Sequence, residues 1–321
     1  MQQPGPWSHP ASKRLAATEP QGVLAGQVMD LNDVPRVSWN DFLPPRLGGS
    51  PRVVVGGERH WPSLARWDAE YLRSVVGDRE IAVREKGGSP RNLFQNLADG
   101  GHIPFSDYLD WVLSTAEQVQ PILQQSSDIT DISRAIDALG FEASYYLDIK
   151  LQNLSSTLFA EMPPPAWYDS PPIDTNFWCG VLGTSSGLHC DVTPNCNVQV
   201  VGQKHFILFP PSQAQAVYQI PGITHCQFDP SLPDFDRFPR ALAATGWQCR
   251  LQPGEALYIP VGWFHQVSVA SDWAVNVNFF WRRPLTQSLV TSNIWRFLLR
   301  RQRVRLANAV RRTSLRQPAP A

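Results

Sequence analysis

From Phe177 onward the chain is a succession of short runs of alternating character, separated by turn residues at TSSG (Thr184 to Gly187), Thr193-Pro194, Gly202-Gln203 and Pro210-Pro211. Alternation at period two over short runs specifies strands, and regular breaks between them specify an antiparallel barrel or sandwich. In NCNVQVV, Asn195, Asn197 and Gln199 share one face while Cys196, Val198 and Val200 share the other. The next run, KHFILF, groups Lys204, Phe206 and Leu208 against His205, Ile207 and Phe209. Three amides on one face do not suit an apolar core. They suit a pocket that receives a polar ligand.

The same stretch carries His189 and Asp191, separated by one residue. In a strand both point to one side and Cys190 points away, so a metal could collect two ligands from one strand. His265, in GWFHQ (Gly262 to Gln266), is a third candidate ligand. Two imidazoles and one carboxylate suit non-haem Fe(II), which leaves its opposite face open for substrate and O2. An HxD by itself is common by chance, and only its neighbours give it weight. One neighbour is Lys204, which parity with Phe206 and Leu208 directs inward.

At 321 residues the chain can bury a full core, and a barrel domain of about 200–250 residues with flanking elements needs no second domain. The 28 basic and 28 acidic residues cancel, so no overall field argues for nucleic acid or membrane. Five cysteines (Cys179, Cys190, Cys196, Cys226, Cys249) form no CxxC and no paired spacing, which fits a reduced, cytoplasmic protein. No run of about 18 apolar residues and no signal-peptide pattern appear.

Residues 1–30, rich in Pro, Gly, Ala and Gln, are expected to be a disordered leader. Val37 to Phe42 and Arg52 to Val55 are the first ordered signals. Leu64, Trp67, Tyr71, Leu72 and Val75 lie at helical spacing in a helix stopped by Gly77. A strand at Glu80 to Arg84, a helix capped by Ser106, and a further helix closed by Gly140 follow. In Tyr145 to Leu151, Tyr146, Asp148 and Lys150 share a polar face that points either to solvent or into a wet pocket. This front part is a mixed α/β buttress. After Asp272 there are ten arginines and no acidic residue, with apolar helical spacing at Ile294, Phe297, Leu298, Val304 and Val310. A C-terminal helix packing on the domain is favoured there over a nucleic-acid patch.

The block from Thr184 to Pro211, followed by PGEALYIPVGWFHQV and AVNVNFFW, resembles the JmjC-type, cupin-fold Fe(II)/2-oxoglutarate oxygenases, in particular the small JmjC hydroxylases related to the factor-inhibiting asparaginyl hydroxylase. The resemblance covers roughly residues 35–285 and is strongest over 178–281. It implies a mainly β fold with flanking helices: a double-stranded β-helix (jelly-roll or cupin) barrel with an N-terminal α/β buttress and a C-terminal helix. It implies His189, Asp191 and His265 as iron ligands. Ser186, Asn195 and Lys204 stand at the family's offsets for holding 2-oxoglutarate, Tyr146 matches its Tyr-Leu site with Tyr145 one residue out of register, and Asn278 matches the Asn of its last strand. The layout expected is a leader at 1–30, an oxygenase domain at 31–284 with its barrel core at about 141–284, and a basic helix and tail at 285–321.

By the same resemblance, Fe(II), 2-oxoglutarate and O2 are used to hydroxylate a C–H of a peptidyl side chain or a small amino-acid-like metabolite, with succinate and CO2 released. A catalytically silent cupin-fold binding module and a JmjC demethylase are the alternatives. Relatives often dimerise through C-terminal helices, so a homodimer is expected there. His205 is expected to be packed, His225-Cys226 to be a loop pair rather than a second metal site, and Glu255 to belong to a turn. Asp148 and Asn197 are expected to face the cavity as substrate contacts. The loop from Ile220 to Pro239 is expected to cover the pocket mouth.

Overall fold

The computed structural model describes residues 29–45, 48–86, 97–138 and 145–282. Two short strands, β1 (Asp30–Asp33) and β2 (Arg36–Ser38), are followed by β3 (Arg52–Val55), helix α1 (Ala69–Val76), β4 (Glu80–Lys86) and β5 (Leu97–Pro104). Helices α2 (Phe105–Gln125) and α3 (Ile129–Ala138), strand β6 (Tyr145–Lys150), and the short helices α4 (Leu151–Leu154) and α5 (Ser156–Ala160) complete the front part. The second part contributes β7 (Asp174–Val181), β8 (His189–Cys190), β9 (Asn195–Val201), β10 (Lys204–Phe209), β11 (Thr245–Leu251), β12 (Ala256–Ile259), β13 (Phe264–Val269) and β14 (Trp273–Phe280).

The strands form two sheets, one in the order β1-β11-β10-β13-β8 and a larger one in the order β2-β3-β12-β9-β14-β7-β6-β4-β5. Nearly all pairings are antiparallel, and a cavity lined from both sheets lies between them. This is the mainly β, jelly-roll barrel with flanking helices that the period-two pattern and the resemblance imply.

Alternation decides which side chains meet. Cys196, Val198 and Val200 of β9 join Val275, Val277 and Phe279 of β14 in a core completed by Leu72 of α1 and by Tyr108, Leu109 and Val112 of α2. Each such side chain contributes roughly 1.5–3 kcal/mol when removed from water. The helices therefore buttress the outer face of the larger sheet and leave its inner face free for the amides. Strand β10 is buried on both faces: Phe206 and Leu208 pack with Val53, Leu251 and Leu257, while Ile207 and Phe209 pack with Leu188, Val217, Phe228 and Phe264.

Some boundaries differ from the sequence expectation. The helix expected to run from Leu64 is a 3-10 turn (Pro62–Ala65) followed by α1, because Asp68 caps α1 by accepting from the Tyr71 amide at 2.7 Å. Gly77 ends α1 with φ 60°, as expected. Ser106 is not the cap of α2: the helix begins one residue earlier behind Pro104, and the Ser106 hydroxyl donates to Asp78 instead. Leu151 starts α4 rather than prolonging β6. The leader, Gly140 and the arginine-rich C-terminal segment with its expected dimer contact lie outside the described residues. Among the described residues no helix is long and apolar enough to cross a membrane.

Candidate metal centre

Strand β8 is two residues long, set off by Gly187 at φ 66° on one side and Thr193-Pro194 on the other. It pairs with β13 in a register that places His189 directly opposite His265. Asp191 follows on the same side. Ligand-capable atoms of His189, Asp191 and His265 all lie within 4.8 Å of one another. The two imidazole centroids are 4.4 Å apart, and His265 Nε2 is 3.6 Å from Asp191 Oδ2.

Both rings are oriented from behind. His189 Nδ1 is 3.0 Å from the Gly187 carbonyl and His265 Nδ1 is 3.1 Å from the Trp263 carbonyl. A carbonyl only accepts, so each Nδ1 carries the proton and each Nε2 lone pair faces the other donors. Burial, aided by His265, pushes the His189 pKa down to about 4 against the pull of Asp191. Its imidazole is thus neutral at neutral pH, the form that binds metal. Asn195 donates to Asp191 Oδ2 and fixes the carboxylate.

These groups close one part of a cavity of about 270 Å³. Lys204 lines it too, is 5% exposed, and donates to Asn276 Oδ1. Burial lowers the Lys204 pKa to about 7, with Cys179 and Asp148 opposing the shift. The hairpin that delivers Lys204 turns at Gly202, with φ 64°, and a Cβ there would come within 2.1 Å of the Trp273 carbonyl oxygen. Gly202→Ala is therefore expected to lower stability by about 2–4 kcal/mol, through left-handed strain plus overpacking, in chemical denaturation.

Tyr146 lines the cavity and tilts its ring on Trp178 at 5.1 Å between centroids. The Ser186 hydroxyl, also in the wall, accepts from the Val267 amide at 3.0 Å. Asn278 is in the wall and accepts from Asn276 at 2.5 Å. Asn195 stands beside the cavity, behind Asp191. Asn197 faces the cavity, whereas Asp148 is not in the wall and accepts from Asn176 at 3.4 Å. Gln199 holds the hairpin by donating to the carbonyls of Val201, Gly202 and Val275. His205 is packed against Gln248, and Glu255 caps a turn at Gln252.

Several wall residues are not among the sequence-based site candidates. Asn276 is the side chain that meets Lys204. The Thr184 hydroxyl and the Trp178 indole N–H are buried in the wall without a hydrogen-bond partner among the described residues, an arrangement that fits a polar ligand, since buried polar groups are ordinarily bonded. His225, expected to belong to a loop pair in the segment covering the pocket mouth, stacks on His189 at 5.6 Å and lines the cavity. Backbone bonds from Cys190 N to Thr224 O (3.0 Å) and from Cys226 N to Leu188 O (2.9 Å) lay this loop beside β8. No local pattern announces that pairing.

The donor set suits a divalent metal with open positions, and the lysine in the same cavity suits an anionic co-substrate. Residues 46–287 match the model of a family described as a cupin-like domain. Lysine-specific demethylase 8 of Xenopus tropicalis is 30% identical over 236 residues, covering 72% of this chain and 48% of that protein, so the chain spans about half its length. The bifunctional peptidase and (3S)-lysyl hydroxylase JMJD7 of Homo sapiens is 26% identical over 295 residues, covering 80% of this chain and 84% of that one. The tRNA wybutosine-synthesizing protein 5 of Homo sapiens is 25% identical over 277 residues, covering 81% and 80%.

Proposed function

We propose, from the premise that this chain belongs to the cupin-like domain family in its JmjC-type branch, that it is an Fe(II)- and 2-oxoglutarate-dependent hydroxylase. The observation that carries the proposal is the convergence of His189, Asp191 and His265 within 4.8 Å in the cavity that also holds the buried Lys204. Such a centre supplies oxidation of an unactivated C–H by O2, coupled to decarboxylation of 2-oxoglutarate to succinate and CO2. One oxygen atom goes to the succinate carboxylate and one to the substrate.

The protein's own part is to hold and to exclude. His189, Asp191 and His265 would hold the ion by one face. Lys204 would take the far carboxylate of 2-oxoglutarate as a charge-assisted pair, with Tyr146 and Ser186 beside it, and the Thr184 hydroxyl and Trp178 N–H are further donors in the same wall. Val267, Val269 and Phe280 supply apolar wall that keeps water from the reacting carbon. Thr224 and His225 border the space left for substrate. A peptidyl side chain or a small amino-acid-like molecule is the class proposed to enter there. The listening experiment for this reading is anaerobic titration with Fe(II) and 2-oxoglutarate, followed by succinate measurement on admission of air. Binding and succinate release are expected; failure to bind, or turnover untouched by His189→Ala, would overturn the proposal. Mass spectrometry of candidate peptides and amino acids for a gain of one oxygen then identifies the substrate.

A further inference from the structure

Between the lysine and the carboxylate runs an unbroken line of side-chain amides. Lys204 Nζ donates to Asn276 Oδ1. Asn276 Nδ2 donates to Asn197 Oδ1 at 3.4 Å, the longest link, and to Asn278 Oδ1 at 2.5 Å. Asn197 Nδ2 donates to Asn195 Oδ1 at 2.8 Å, and Asn195 Nδ2 donates to Asp191 Oδ2. Lys204, Asn276, Asn197 and Asn195 are each 5% exposed or less, so bulk water competes little for these bonds.

The ends dictate the sense of the whole line. An ammonium has only donors and a carboxylate only accepts. Asn276 must therefore turn its oxygen to Lys204, and Asn195 must turn its NH2 to Asp191. Asn197, between them, is left one orientation: oxygen toward Asn276 and NH2 toward Asn195. Every amide dipole then points the same way, from cation to anion, and hydrogen bonds so aligned strengthen one another in a low dielectric. The arrangement depends on β9 and β14 being neighbours, with Asn197 opposite Asn278 and Asn276 one diagonal step away.

We infer that Asn276, Asn197 and Asn195 form a polarised relay through which the lysine end of the cavity holds Asp191 in its ligating position, so that Asn197 and Lys204 are positioning residues for the metal as well as wall residues. This rests on the Fe(II) reading above. Removing the cation frees Asn276 to rotate. Asn197 and Asn195 then lose their single orientation, and Asp191 loses a constant donor. A carboxylate co-substrate at Lys204 would keep the cation charged and the line fixed.

The test uses Co(II) as a visible probe of the His and Asp ligands in the full chain at pH 6, where Lys204 carries its proton, without 2-oxoglutarate, so that no direct chelation by the co-substrate can couple the two ends. Asn197→Leu is expected to weaken Co(II) binding about 10- to 100-fold, the cost of losing an outer partner of a ligand, and to shift the d–d bands. Lys204→Met, far from the ion along the line, is expected to weaken it roughly fivefold or more. The double variant should be no weaker than Asn197→Leu alone, because the line is already cut. Co(II) affinity within about twofold of the original protein in Lys204→Met, or multiplicative losses in the double variant, would overturn the relay. Should Asn197→Leu not fold, Asn276→Leu makes the neighbouring cut and is read in the same way. His189→Ala separates the two ideas: retained Co(II) binding there defeats the metal centre itself, whereas lost binding beside an unaffected Lys204→Met defeats the relay alone.

Discussion

In His265→Ala, succinate formation is expected to fall by more than about 100-fold, beyond what loss of a ligand's outer hydrogen-bond partner costs. The residue is 3% exposed and directly opposite His189 across the β8–β13 pair, so no mobile side chain can take its place. The apo fold should suffer far less. The variant leaves the Trp263 carbonyl without its donor and removes a buried ring, which together cost on the order of 1–3 kcal/mol. The two effects separate in thermal melts. The original protein should gain stability on adding Fe(II) or Co(II), because a ligand that binds only the folded chain stabilises it by mass action. His265→Ala should lose that gain while still melting cooperatively. An unchanged metal-induced shift would show that the ion sits elsewhere.

Lys204→Met should make the protein both sturdier and useless for its proposed co-substrate. Burial holds the Lys204 pKa at about 7 against an ordinary 10.5. The folded chain therefore binds fewer protons than the unfolded one between those values. The cost of burying the ammonium is fully present below about pH 7 and disappears as pH rises toward 10.5. An apolar side chain of similar length avoids that cost, and a gain of roughly 2–4 kcal/mol in apo stability is expected near pH 7, shrinking toward pH 10. Over the same change, 2-oxoglutarate binding should weaken by about 30-fold or more, since truncating one partner of a buried charge pair costs roughly 2–5 kcal/mol. In the original protein, binding at pH 8 should take up nearly one proton as the dianion recharges the amine, and uptake should vanish near pH 6. Calorimetry in buffers of different ionisation heat reads this directly. Equal stability of the two proteins at pH 7, or proton-neutral binding at pH 8, would contradict the buried-lysine account.

The barrel strands were legible because their side chains alternate against two chemically different surroundings. Cys196, Val198 and Val200 meet a helix-covered core, while Asn195, Asn197 and Gln199 meet polar partners. The one-residue gap between His189 and Asp191 likewise translates directly into a shared side of an extended chain. What period two could not give was the partner of each amide. Asn197, Asn276 and Asn278 are interchangeable by pattern, and only the register of β9 on β14 brings Asn276 to Lys204. The start of α1 departs from the spacing because Leu64 and Trp67 sit at helical intervals although Pro62 and Asp68 start two separate turns. The loop carrying His225 is expected at the pocket mouth, but its contact with His189 is not legible, for a different reason. Its place beside His189 comes from backbone bonds to β8 made across more than thirty residues of intervening chain, and nothing adjacent to it in sequence encodes them.

The first two strands also bear on solubility. β1 lies along β11 at the margin of the smaller sheet, and β2 lies along β3 at the margin of the larger one, with only Val34 and Pro35 between them. One small segment thus shields an open margin of each sheet at once. An unpaired margin is a template for another chain, and natural proteins blunt it with brief, charged strands. Asp30, Asp33 and Arg36 are exposed on this segment, so each cover ends in charge and invites no further strand. A chain trimmed past Ser38 would bare β11 and β3 together and gain two sticky borders in a single cut.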